Sequence, residues 1–156
     1  MKPIPNTIIL EEVEQMISIG NSVELKVKGQ SMRPYLRSGK DKIILSPFRP
    51  VDLKCGAIVL FRYDHRYVFH RIIKIENENL IIQGDGNKSC EKALKSDVIG
   101  VVRGIVRPGG KTISLPDFSS EVYWRCWRFL RPIRRYLLAV YDLLYAFPLI
   151  LVAGVC

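Results

Sequence analysis

Histidine is scarce in this chain, with two in 156 residues, His65 and His70. Cysteine is hardly more common, and Cys55, Cys90, Cys126 and Cys156 form no CxxC pair and keep no metal-ligand spacing with either histidine. That pattern excludes a zinc ribbon and a disulfide framework. We therefore expect free thiols in a reducing compartment, no metal and no cofactor. The first six residues, Met1 to Asn6, place no apolar run behind their single lysine, so no secretory signal peptide is expected. No internal repeat and no low-complexity tract is present. Long apolar runs are also missing. Only fourteen uncharged residues follow Asp142, short of the roughly 20 that span a bilayer. Counting from Tyr136 gives 21, but this puts Asp142 inside the apolar stretch at a cost of a few kcal/mol.

What the chain does contain is 48% hydrophobic and 25% charged residues. That supports one compact domain with an appendage and excludes global disorder. The net charge is +9, which makes nucleic acid and anionic membrane the partners to weigh. Residues 1–118 carry +6 and residues 119–156 carry +3, and the bases of the second segment are all arginine, between Arg125 and Arg135.

Residues 7–19 read as a short amphipathic helix. Asn6 or Thr7 caps it, Ile9, Val13, Met16 and Ile17 share a face, and Gly20 stops it. A helix-turn-helix needs roughly twice that length, so no nucleic-acid partner is expected. From Val23 the period falls to two: Val23, Leu25 and Val27 alternate with Glu24, Lys26 and Lys28, as in a half-buried strand. Strand-like runs recur at 42–45, 57–63, 67–75, 80–83, 98–106 and 112–115, with turns at 76–79 and 108–110. The expected fold class is mostly β: an N-terminal helix (1–22), a small antiparallel β domain (23–118) and a basic, aromatic-rich helical segment (119–156). In that last segment Arg125, Arg128, Arg131, Arg135 and Asp142 share a stripe, aromatic and aliphatic residues cover the rest, and Pro132 interrupts the helix. A basic stripe opposed by tryptophan and leucine marks a helix lying in a membrane interface. Trp124, Arg125, Trp127, Arg128, Arg131 and Arg135 are the expected membrane contacts. A weak C-terminal span, and packing against the domain itself, are the alternatives.

Three local patterns carry candidate chemistry. Ser31 lies in Gly29-Gln30-Ser31-Met32-Arg33-Pro34 at a strand end, where a sharp turn exposes a hydroxyl and frees amide N–H groups for an oxyanion. His70, inside the apolar run Tyr67 to Ile75, suits a general base near neutral pH; His65 reads as an exposed loop residue. Gly84-Asp85-Gly86-Asn87, followed by Glu91, offers a carboxylate to orient a histidine.

In this order the residues resemble the type I signal peptidase superfamily, especially its archaeal and endoplasmic-reticulum branch. Ser31-Met32-Arg33-Pro34 matches the family's Ser-Met-x-Pro box, and Gly56-Ala57-Ile58-Val59 its Gly-Asp-Ile-Val-like strand with alanine for the acid. His70-Arg71-Ile72 is the histidine version of the base box, and Gly84-Asp85-Gly86-Asn87 stands for Gly-Asp-Asn-Asn. Residues 96–104 resemble the closing strand, so the likeness covers roughly 23–107. Gly29-Gln30-Ser31-Met32 is also similar to LexA-like self-cleaving proteins, whose base is lysine.

The resemblance implies a signal-peptidase or LexA-like β domain and a serine endopeptidase acting on leader-type peptides. Ser31 would be the nucleophile and His70 the base, with Glu91 or Asp85 as the acid. Gly29, Met32 and Pro34 would line the substrate and oxyanion site, and an extended peptide would dock along a strand edge. Gly29 lacks the hydroxyl that some members place there. Together with Ala57, Gly86 and Glu91, it motivates an alternative: a non-catalytic peptide-binding or membrane-scaffold module of the same fold. A LexA-like self-cleaving regulator is a third reading. The arginines point to the cytoplasmic face of a membrane as the expected location.

Overall fold

The computed structural model describes residues 6–64 and 66–153. His65, Cys156 and the Ile9 side chain lie outside the described residues. The chain opens with helix α1 (Asn6–Ser18). Its end is a Schellman turn: Gly20, at φ +93°, donates to the Ile17 carbonyl and Asn21 to the Met16 carbonyl, both at 3.0 Å. Val13 and Ile17 are buried, whereas Met16, expected on the same face, is 43% exposed because the helix covers its sheet over a narrower stripe.

The strands are β1 (Val23–Lys26), β2 (Lys42–Ser46), β3 (Ile58–Tyr63), β4 (Arg66–Glu76), β5 (Asn79–Gln83), β6 (Glu91–Leu94), β7 (Val98–Val106) and β8 (Thr112–Ser114). They form one antiparallel sheet in the order β1-β2-β7-β3-β4-β5-β6, with β8 on β7. The mostly-β expectation holds. β6 has no strand signature in the sequence: Glu-Lys-Ala-Leu favours helix, and pairing with β5 overrides that preference. Register shifts at Ile44/Leu45, Leu60/Phe61 and Ile72/Lys74 bend the sheet.

The sheet separates two cores. Under α1, Val13 and Ile17 pack with Met32, Leu36, Ile43, Ile58, Leu60 and Ile105; beyond the sheet, Val59, Phe61, Ile72, Leu80, Ile82 and Val101 form the second cluster. Each fully buried aliphatic or aromatic side chain stabilises by about 1.5–3 kcal/mol relative to exposure. Strand alternation assigns Ile58 and Leu60 to one core and Val59 and Phe61 to the other.

The C-terminal segment folds as α2 (Phe118–Phe129) and α3 (Arg134–Ala153), broken around Pro132 as expected. Asp117 caps α2, accepting from the Ser120 N–H at 3.1 Å. Ser120, Trp127, Arg134 and Leu138 are buried and dock the helices on the domain. Among the described residues, no helix is long and apolar enough to cross a membrane. Cys55, Cys90 and Cys126 are unpaired thiols.

Candidate active site

β4 fixes His70 and Arg71 as successive residues, which strand geometry sends to opposite faces. The register then brings an acid to each. Ile72, on the His70 face, lies opposite Ile82 of β5, and Ile82 lies opposite Glu91 of β6. Glu91 thus reaches back diagonally, and its Oε2 stands 2.9 Å from His70 Nδ1. The His70 side chain is 4% exposed and packs near Phe61, with ring centroids 6.2 Å apart. With Nδ1–H donated to the carboxylate, Nε2 carries the lone pair that a general base needs.

Of the two candidate acids, Glu91 is therefore the one behind the histidine. Asp85 is held elsewhere: Arg71 donates Nε to its Oδ1 at 3.0 Å and Nη2 to its Oδ2 at 2.8 Å, and Nη1 to the Gly56 carbonyl at 2.8 Å. Burial alone would lower the Arg71 pKa, but the Asp85 carboxylate outweighs it and raises the group above its ordinary value. Tyr35 and Tyr123 enclose this guanidinium, their ring centroids 4.8 and 5.7 Å away. Burial pushes both phenols up, Tyr123 furthest.

Ser31 sits in the turn after β1, half-buried. The Gly86 N–H donates to its carbonyl at 2.8 Å, tying the serine turn to the Gly84–Asn87 turn. Gly84 is where the two approach. A Cβ there would stand 2.5 Å from the Ser31 carbonyl oxygen and 2.9 Å from His70 Nε2, so only glycine fits. Nε2 thus faces the serine segment. No hydrogen bond joins the Ser31 hydroxyl to His70 among the described residues. Instead Asn87 Nδ2 donates to Nε2 at 3.4 Å. Sequence reasoning gave Asn87 and Arg71 no role, although both lie inside quoted boxes; a motif records a residue's place in the chain and not the partner that packing assigns to it.

The expected substrate and oxyanion positions divide. The Ser31 and Met32 N–H groups have no backbone acceptor among the described residues. The Met32 side chain belongs to the core, 3% exposed. Gly29, at φ +90°, is no oxyanion donor, because its N–H is bonded to Ser38 Oγ at 3.1 Å. Pro34 follows a cis bond after Arg33 and has no N–H to offer. A cavity of about 140 Å³ opens beside Ser31, walled by Val27, Gly29, Met32, Tyr67 and Phe69. There β4 pairs only with β3, since its ladder to β5 begins at Arg71, so one edge of β4 is left unpaired.

The membrane-contact expectation does not fit one tryptophan, Trp127, which is buried against the domain. Trp127 is 8% exposed, stacks on Tyr123 and donates Nε1–H to the Asp85 carbonyl at 2.7 Å. Trp124 is half-buried over Gly56 and donates to Glu121 Oε2 at 2.8 Å. For Trp127, the stacked ring and the carbonyl acceptor are core features. Arg125, Arg128, Arg131 and Arg135 are exposed, whereas Arg134, left out of that set, is buried. Among the described residues no group of three or more His, Cys, Asp or Glu is placed to hold a metal ion. No protein-family model and no curated protein matches the sequence.

Proposed function

We propose that this chain is a serine endopeptidase of signal-peptidase-like design, cutting extended leader-type peptides. The observation that carries the reading is His70 backed by Glu91 at 2.9 Å while Nε2 faces the serine turn. In the first half-reaction the Ser31 hydroxyl attacks the scissile carbonyl carbon and passes its proton to His70 Nε2. The Ser31 N–H, together with that of Met32, holds the oxyanion. His70 then protonates the departing amine, leaving an ester on Ser31. In the second half-reaction His70 deprotonates a water that attacks the ester, and the proton returns to the serine. Glu91 keeps the imidazole in the required tautomer and stabilises its charged form. The substrate adds as a strand along the unpaired edge of β4, with one side chain in the cavity beside Ser31. That cavity is small, which favours a short side chain next to the cut.

The test compares wild type with Ser31→Ala and His70→Ala on a leader-peptide library. Loss of about 10⁴-fold or more in cleavage by each variant is expected; equal cleavage by all three overturns the reading. A second reading, a non-catalytic peptide-binding module of the same fold, is favoured by the missing Ser31–His70 hydrogen bond. Catalytic hydrogen bonds often close only when substrate is bound. A fluorophosphonate probe decides between them: labelling confined to Ser31 supports the enzyme, and none supports the binding module. A LexA-like regulator would release self-cleaved fragments at alkaline pH.

The same proposal places the protein at a membrane surface. Phe129, Val140 and Leu144 are 86%, 55% and 66% exposed along the helices that carry Arg125, Arg128, Arg131 and Arg135. Exposed apolar side chains beside arginines fit the headgroup region of anionic lipid, here its cytoplasmic face. Flotation with liposomes at low and high salt, with Val140→Ser and Leu144→Ser beside wild type, tests this; unchanged flotation of the variants would remove α3 as the contact.

A further inference from the structure

A second cavity, of about 450 Å³, opens between the Gly84–Asn87 turn and the start of α3. Arg33, Lys88, Arg131, Arg134 and Arg135 line it, against a single carboxylate, Asp142. Asp142 itself is paired with Arg33 at 3.1 Å. The proposed hydrolysis uses none of these side chains, although Arg131 and Arg135 also belong to the proposed membrane contact.

Arg134 makes the arrangement more than a solvated basic face. It is 7% exposed, yet its guanidinium bonds only neutral acceptors: the Gln83 side-chain oxygen at 3.3 Å and the Trp127 and Asn87 carbonyls at 3.0 and 3.5 Å. Its Nε, buried, has no partner, and neither has the buried Nε of Arg33 across the cavity. Asp85 is not available to it, since both carboxylate oxygens are taken by Arg71. Burial, the main cause, lowers the Arg134 pKa below its usual value, and the nearby Asp85 carboxylate, already bonded to Arg71, only partly offsets it. Buried charges are normally paired. Arg134 also begins the twenty-residue helix α3, whose dipole adds positive potential near the cavity, although the Arg134 and Tyr136 N–H groups are already bonded to the Arg131 and Ile133 carbonyls.

We propose that this cavity binds a phosphate group, with Arg134 and Arg33 at its floor and Lys88, Arg131 and Arg135 at its rim. Guanidinium groups match phosphate oxygens in geometry and charge. The phosphate belongs either to a lipid headgroup or to a soluble anion. Occupancy would be felt at the proposed active site, because Asn87 lines the cavity and also donates to His70 Nε2.

The test uses the full chain with two charge-matched double variants of exposed residues. Lys88→Gln with Arg131→Gln alters the cavity rim; Arg125→Gln with Arg128→Gln removes two charges on α2, outside the cavity. One arm titrates inorganic phosphate by calorimetry. The other measures sedimentation with phosphatidylcholine vesicles with or without phosphatidylglycerol. Circular dichroism confirms that each variant is folded. We expect saturable binding in at least one arm, weakened tenfold or more by the rim pair; the control pair changes phosphate binding less than twofold and, because Arg125 and Arg128 belong to the proposed membrane contact, lowers vesicle binding, but by less than the rim pair. Binding in the phosphate arm assigns a soluble anion, and binding only to phosphatidylglycerol vesicles assigns a headgroup; either supports the site. Absence of saturable binding in both arms, or equal loss from the two double variants, overturns it.

Discussion

His70 and Arg71 are chain neighbours, each faces an acid contributed from beyond β5, and the two pairings are built to opposite ends. Arg71 is gripped at Nε, Nη1 and Nη2, enclosed by two tyrosine rings, and covered by α2 through Trp127. Nothing on it is left to react. His70 is held firmly at Nδ1 and only loosely at Nε2, where Asn87 stands at 3.4 Å. One face of the strand uses a carboxylate to lock a permanent charge; the other uses one to aim a ring whose second nitrogen stays available. Adjacent residues thus separate stability from chemistry, and each half of that division can be attacked alone.

Among changes to the two acids and their neighbours, the largest effect is expected from Glu91→Gln. The amide keeps the packing but no longer fixes the tautomer, so peptide cleavage falls about 10³- to 10⁴-fold while unfolding free energy changes by about 1 kcal/mol or less. Steady-state rates and denaturant unfolding of the same sample check both halves. Asp85→Ala should do the reverse. It strands the Arg71 charge in the core and costs about 3–5 kcal/mol of stability, read as a lower denaturation midpoint. A large fall in stability on Glu91→Gln would erase the distinction drawn here.

The sequence made much of this division legible, though not all of it. Period-two alternation exposed most strands, and the order of Ser31, His70, Asp85 and Glu91 named residues that the fold brings to one region, but neither Arg71 nor Asn87. It did not choose between Asp85 and Glu91, because that choice depends on the register of β6, a strand without strand-forming residues. Nor did it place the tryptophans. Trp127 and the arginines follow a helical period that fits a membrane interface as well as it fits a protein surface. Only the Asp85 carbonyl, which the indole N–H finds at 2.7 Å, distinguishes the two. Arg134 went unnoticed because a buried cation resembles its exposed neighbours in a sequence.

A third carboxylate sharpens the contrast from a distance. Asp41 is fully buried, accepting from the Arg37 backbone N–H at 2.7 Å and from the Arg37 and Arg107 guanidiniums. Burial works to raise its pKa, but these donors outweigh it and hold the carboxyl below its usual range. A lowered folded value means stability that is complete above the ordinary carboxylate pKa of about 3.9 and lost as pH falls through the folded value. Asp41→Asn should cost about 2–3 kcal/mol at pH 7, less than a fully buried pair because both arginines reach solvent. Acid unfolding should then show a smaller difference between variant and wild type towards pH 3; a difference that stays constant with pH would mean the carboxylate is not the source. The smallest effect is expected from Asn87→Ala. Asn87 must give up the Nε2 lone pair before Ser31 can use it, so losing this one neutral hydrogen bond, worth about 1 kcal/mol, should change kcat/KM by no more than roughly fivefold, with the unfolding midpoint nearly unchanged. A loss as large as that of Glu91→Gln would make Asn87 a partner equal to the acid.

The contact of Trp127 with the turn that carries Asp85 also gives the molecule an internal optical gauge. The indole is stacked on Tyr123, lies 5.2 Å from the Arg134 guanidinium and is bonded to that turn. Its emission wavelength and intensity therefore report the polarity and charge at the junction of sheet and helices. Replacing Trp124 by phenylalanine silences the only other indole in the chain. Any rearrangement of the helical pair would then be visible as a change of colour, without attaching a dye.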